Sequence, residues 1–367
     1  MPTRRAVLGL VAVAMGSATC GGRVWPAALG DEGPEDSGTK DALSAVDGSH
    51  AVDAPTSTSE AGVGGRSCAA NAAGAGTNCG QNGHDDCCAE DLIPGGSFFM
   101  LDDEGASGLV HANHDYPATV SSFRLDRYEI TVGRFRQFLD SYPTSQPREG
   151  DGANPRVPGS GWQAAWSLPA SADALSKSLA DPSQCTSGWS PTDAYWWTDS
   201  PGPHEHMPLA CATWYELFAF CAWDGGRLVT FAEWQFASTG GGQQRALAWS
   251  SPPNDTTVGD PFAVYSNNPN TPRSGPEDVG SRPQGAGMWG SLDLGGNILE
   301  VVFDSTVPTT PGSCSDCAFY DPKSAYATLE GGGWGGGSTY MYNVETTTPF
   351  TRGAPDPQVG ARCAHDL

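Results

Sequence analysis

Gly331-Gly332-Gly333-Trp334-Gly335-Gly336-Gly337-Ser338-Thr339-Tyr340-Met341 sets six glycines around one tryptophan, a composition suited to a loop and to no regular element. The segment holds no cysteine, and none occurs between Cys317 and Cys363. Gly336 has no side chain and Met341 ends in a neutral thioether. The surrounding chain has the same character. Its 367 residues include 48 Gly, 29 Pro and 12 Trp, which predicts a loop-rich globular fold and not a helical bundle. A net charge of −23 argues against nucleic acid as a partner and against electrostatic docking on anionic lipid.

Arg4-Arg5 precede the apolar run Ala6 to Ala18 and small residues up to Cys20. Residues 1–20 thus read as an export signal, too short for a stable membrane span. Thr3-Arg4-Arg5-Ala6-Val7-Leu8 fits a twin-arginine signal, and Ser17-Ala18-Thr19-Cys20 a lipobox without its usual leucine. Cys20 is therefore the lipidation candidate. Setting it aside leaves ten of the eleven cysteines, enough for five disulfides in an oxidising compartment. The expectation is an exported protein, periplasmic or at the cell surface, and an outer-membrane lipoprotein if Cys20 is acylated. Residues 21–66 are Gly, Ala, Ser, Asp and Glu with almost no aromatics, the composition of a disordered acidic linker. A cysteine-rich segment, 67–91, reads Cys68-x10-Cys79-x7-Cys87-Cys88. Adjacent cysteines rarely bond to each other, and the irregular spacing favours disulfides over zinc.

The main domain runs from 92 to 367. Ile93 to Met100 and Ala118 to Asp126 read as strands. Thr131 caps a helix with Val132, Phe135, Phe138, Leu139 and Tyr142 on one face. Thr213-x-x-Glu216 and Thr230-x-x-Glu233 are capping boxes. They open helices over Trp214 to Trp223 and Phe231 to Ser238, closed by Gly225-Gly226 and Gly240-Gly241. The class is α+β, with a few helices packed on short twisted strands.

Five segments in order resemble the formylglycine-generating enzymes, or sulfatase-modifying factors. Leu125-Asp126-Arg127-Tyr128-Glu129-Ile130-Thr131 is similar to the entry motif of that family. Gly226-Arg227-Leu228-Val229-Thr230-Phe231-Ala232-Glu233-Trp234 resembles its Gly-x-Arg-Leu-Pro-Thr-Glu-Ala-Glu-Trp signature, with Val229 for proline and Phe231 for glutamate. Leu292 to Glu300 is similar to its Asp-x-x-Gly-Asn-Val-Trp-Glu segment, with Leu299 for tryptophan. Val359-Gly360-Ala361-Arg362-Cys363 resembles its closing Gly-Phe-Arg-Cys. The opening stretch resembles the active-site segment, Gly-Gly-Ser-Trp followed by two cysteines, but Gly333 stands for the serine and Gly336 and Met341 for the cysteines.

The resemblance implies a variant of the C-type lectin fold with much irregular structure. It implies calcium held by the side chain of Asp293, the carbonyls of Gly296 and Ile298, and the carboxylate of Glu300, all hard oxygen donors. Spacing alone favours a solvated turn there, and it is the resemblance that favours calcium. A second calcium site would fall between Ser266 and Asp278 without assignable ligands. The resemblance further implies a Cys221–Cys363 disulfide; the remaining cysteines suggest Cys314–Cys317 and Cys185–Cys211. Cys314-Ser315-Asp316-Cys317 also fits a redox motif, but lacks the thioredoxin-like βαβ context. With Gly333, Trp334, Gly336 and Met341 forming a degenerate active-site segment, copper-dependent cysteine oxidation is not expected.

His111, His114 and Asp115, or His204, Glu205 and His206, offer imidazole and carboxylate for iron or zinc, against the alternative of surface loop histidines. Trp162, Trp166, Trp189, Trp196 and Trp197 lie in an insertion, 144–208, where they either line a ligand groove or pin a region lacking helices. Two functions stay open. One is an exported binding or structural module with an exported protein or glycan as ligand. The other is an oxidoreductase or maturation factor of the same family, acting on an exported protein through other metal ligands.

Overall fold

The computed structural model describes residues 65–108, 114–181, 183, 185, 197–266, 275–343 and 347–367. The export signal, Cys20, most of the acidic linker, His111, Trp189 and Trp196 lie outside the described residues, as does most of the second calcium region. No described helix is long and apolar enough to cross a membrane.

Among the described residues four α-helices lie among short strands: α1 (Val132–Asp140), α2 (Ala172–Ala180), α3 (Trp214–Trp223) and α4 (Phe231–Ser238). Both capping boxes form. Thr213 N–H donates to Glu216 Oε2 at 2.7 Å and Thr230 N–H to Glu233 Oε2 at 3.0 Å, while each threonine hydroxyl accepts the glutamate amide at 3.3 Å. These helices are not amphipathic surface elements: every residue of α4 is buried, and so are most of α3. The caps therefore satisfy amide donors that water cannot reach. α2 departs from the expectation that the insertion lacks helices. Ser171 accepts from Ala174 N–H as its N-cap, and Leu175 and Leu179, one turn apart, are buried. That signal was present in the sequence but lay hidden in a Ser- and Ala-rich stretch.

One four-stranded antiparallel sheet has the order Glu90–Ile93, Phe123–Asp126, Cys363–His365, Arg227–Leu228. A second runs Thr347–Thr351, Tyr326–Glu330, Leu299–Val301, Val359–Gly360, its last pairing parallel. A third joins Gly96–Phe99, Pro117–Val120 and Cys314–Ser315. Around α1, α2 and α3 the core is aromatic: Trp166 sits edge-on to Trp162 at 5.2 Å and to Trp214 at 5.1 Å. Trp162 and Trp197 are buried and Trp166 is half-buried, so the described tryptophans of the insertion mainly pin it. A second apolar cluster surrounds α4 and includes Trp249, Leu294 and Met341.

All ten described cysteines are paired, as Cys68–Cys88, Cys79–Cys87, Cys185–Cys211, Cys221–Cys363 and Cys314–Cys317. The cysteine-rich segment is bound into the same body. Ser67 donates to Asp224 through both N–H and Oγ, and Arg134 bridges Asp224, Asp126 and Ser67. Cys221–Cys363 closes a separation of 142 residues and Cys314–Cys317 one of 3. Removing the first pair by Cys221→Ala with Cys363→Ala should lower unfolding free energy by about 5 kcal/mol, and removing the second by about 2 kcal/mol, in the chain-entropy account. Non-reducing urea denaturation measures both. Equal losses would show that local packing, not loop closure, sets the effect.

Candidate functional site

The glycine loop and the Leu292–Glu300 segment form one unit. Gly296 N–H donates to the Gly331 carbonyl at 2.8 Å, and Trp334 N–H to the Asn297 carbonyl at 2.8 Å. Such closeness needs glycine. Gly296 has φ +93°, and a Cβ there would lie 2.7 Å from the Val264 carbonyl oxygen. At Gly332, φ +66°, a Cβ would lie 2.4 Å from Met341 Cε.

Beneath the loop is a group of buried carboxylates. Glu300 receives the guanidinium of Arg362 at 2.5–2.9 Å and the indole N–H of Trp234 at 2.8 Å. Arg362 also donates to the carbonyls of Asp126, Arg127 and Leu292. Glu129 accepts from Ile298 N–H at 3.1 Å and from the Asn297 amide at 2.6 Å. Burial, then the Asp293 and Glu300 charges, push the Glu129 carboxyl well above the usual range. Asp293 accepts Gly280 N–H at 2.6 Å, and burial raises its carboxyl to about 6. Three buried acids thus face one guanidinium. A further buried acid, Glu330, leads directly into the loop. Among the described residues its Oε1 has no partner, and burial lifts it well above the ordinary value.

Among the described residues, no amide donates to the carbonyls of Gly296 and Ile298, and Asp293 Oδ1 accepts no hydrogen bond. These three oxygens and the acidic excess suit a hard cation such as calcium. Glu300 is differently placed from the expectation: both of its oxygens already serve Arg362 and Trp234, so it acts first as the counter-ion of Arg362. Sequence reasoning overlooked Glu129, Glu330 and Arg362 as site residues. The first and last stood inside quoted motifs, and nothing in the sequence marked them as a buried charge cluster.

The positions that a copper oxidase would fill with cysteine do not fit copper. Met341 is 1% exposed and its side chain belongs to the apolar core. Gly336 is half-buried, and a Cβ there would meet the Tyr340 ring at 3.2 Å. Trp334 is buried against Val264 and Ile298. No described cysteine is left as a free thiol.

The other expected clusters divide. Glu205 pairs with Arg136 at 2.7 Å and His206 meets Asn78 at 3.1 Å, so His204, Glu205 and His206 do not converge as a ligand set. His114 meets Glu104 and Asp102, residues the sequence reading did not connect with it.

The sulfatase-modifying factor enzyme 1-like domain matches residues 77–367. The mouse protein named inactive C-alpha-formylglycine-generating enzyme 2 is 25% identical over 77% of this chain and 88% of its own length. A formylglycine-generating enzyme of Streptomyces coelicolor is 24% identical over 75% and 88%. The hercynine oxygenase of Mycolicibacterium smegmatis is 26% identical over 66% of this chain and 53% of its own. Among solved structures, PvdO from Pseudomonas aeruginosa is 18% identical, covers 76% of this chain and 94% of its own, and gives a TM-score of 0.47.

Replacing Arg362 with Met should cost roughly 3–5 kcal/mol, because it strands Glu300 as an uncompensated buried charge. The double change Arg362→Met with Glu300→Gln should recover much of that loss. Chemical denaturation of the two variants checks the pairing, and equal stabilities would remove Glu300 as the partner that matters.

Proposed function

The chain belongs to the sulfatase-modifying factor enzyme 1-like family and has its fold, and from that premise we propose an exported domain without the family's copper-dependent cysteine oxidation. It serves as a binding or structural module, with calcium fixing its loops. The observation that carries the oxidase part is the fate of the thiol positions: Gly336 lacks a side chain and Met341 is a core residue. Export is supported by five disulfides, which persist in oxidising compartments. Ligand binding is supported by an open cavity of about 380 Å³ whose lining includes Trp162, Trp166, Gln146 and Glu149. Indole faces beside amide and carboxylate groups suit a saccharide as well as a peptide segment.

Calcium would take Asp293 and the Gly296 and Ile298 carbonyls, with Glu300 shared between the ion and Arg362. The ion supplies no reaction chemistry in this reading; it neutralises the acidic excess and fixes the loop backbone.

The oxidase part is tested by aerobic incubation of a Cys-x-Pro-x-Arg peptide with the full chain and copper, read by mass spectrometry. The cysteine should stay unconverted while an authentic oxidase run in parallel converts it. Aldehyde formation by this chain would overturn the reading.

The calcium part has a pH signature. Asp293 titrates near 6 when folded and near its ordinary 3.8 when unfolded, so the folded state holds the proton more tightly. Its contribution to stability is complete below pH 4 and is lost as pH rises through 6, by up to about 3 kcal/mol. Calcium binds the ionised form and should restore that loss above pH 6. In Asp293→Asn both the slope and the calcium response should shrink, as measured by Tm against pH with chelator or calcium. An unchanged calcium response would place the ion elsewhere.

A further inference from the structure

The hairpin loop between Gly96–Phe99 and Pro117–Val120 carries a second polar cluster, separate from the site above. Asp102, Glu104 and His114 each bring one ligand atom within 4.8 Å of the others. His114 Nε2 lies 2.9 Å from Glu104 Oε1 and 3.8 Å from Asp102 Oδ2. Zinc bonds of about 2.0–2.1 Å in a tetrahedron set ligand atoms roughly 3.3–3.4 Å apart, between those two separations.

Asp102 and Asp103 are each 1% exposed, yet among the described residues neither forms an ion pair with lysine or arginine. Asp103 spends its oxygens on Gly105 and Ser107 amides, which orders the turn. Among the described residues, the basic side chain within ion-pair reach of Asp102 is the His114 imidazole. Asp102 is thus a buried carboxylate held by backbone amides and set beside an imidazole.

The cluster is also pre-arranged. The Asp102 carboxylate accepts Glu104 N–H at 2.8 Å and His114 N–H at 3.1 Å, so one ligand anchors the backbone of the other two. The imidazole stacks on Phe99 at 4.0 Å with 9° between the planes. Buried Gln244 clamps the base: it accepts Phe99 N–H and donates to the Phe99 and Asp102 carbonyls. Leu101, Glu104 and His114 have φ of 56°, 54° and 51°, a left-handed conformation that non-glycine residues hold only when the surroundings enforce it.

We propose that Asp102, Glu104 and His114 bind one divalent transition cation of the zinc type. Mixed imidazole and carboxylate donors suit such a borderline ion better than calcium. His114 and Glu104 side chains are 44% and 55% exposed, so the cation faces solvent and keeps a coordination position for water or a ligand atom.

The test is calorimetric titration of the full chain with zinc chloride, after chelator treatment and with excess calcium present to fill any hard-oxygen site. One zinc per chain is expected. The affinity should fall by roughly 100-fold in His114→Ala and in Glu104→Gln, and by about tenfold in Gln244→Ala, which loosens the clamp without removing a ligand. His206→Ala should bind as the parent chain does, and thermal melts in chelator identify any variant that fails to fold. No zinc uptake by the parent chain, or full uptake by folded His114→Ala, would overturn the proposal. Because calcium is in excess throughout, failure here leaves the Asp293 reading untouched.

Discussion

The Arg362–Glu300 pair is the constraint from which the rest of the site follows. A guanidinium at 0% exposure must spend all its donors inside the protein, and these go to Glu300 and to the carbonyls of Asp126, Arg127 and Leu292. One side chain thereby ties the end of a central strand, the loop before the acidic cluster, and Glu300 itself. Trp234 adds the inner helix α4 through its indole N–H. With that hub in place, the backbone around 293–298 has little freedom, and the glycine loop is hung from it by two amide hydrogen bonds. The hub depends on neither Gly336 nor Met341, which explains physically how the scaffold persists without thiols at those two positions.

Local rules carried the helices. The Thr-x-x-Glu pairs marked the starts of α3 and α4 because the chemistry that caps a helix lies within four consecutive residues. The ordered motifs carried the fold, and the glycines near the loop proved to be needed for close backbone approach. The carboxylate cluster was less legible. Glu129, Asp293 and Glu300 are more than 160 residues apart at their widest, so only the folded topology reveals that they face the one guanidinium of Arg362. The same holds for His114. A sequence reader pairs it with neighbours such as Asp115, whereas the chain turns back to set it against Asp102 and Glu104.

The aromatic insertion shows a different limit. Counting tryptophans could not separate a ligand groove from a pinned loop, since both require indoles at similar density. Trp162 and Trp166 pack in or against the core cluster and also line the cavity. A core residue that also lines an opening is set by packing first, so changes there would disturb the fold together with the cavity.

The strand Cys363–His365 lies in the interior of its sheet, between Phe123–Asp126 and Arg227–Leu228, although it comes last in the sequence. During synthesis its partners emerge long before it does. Until it arrives they expose unpaired edges, and the hub residue Arg362 is missing as well. Closing this sheet therefore requires pairing across more than a hundred residues of chain, the mark of a fold of high contact order.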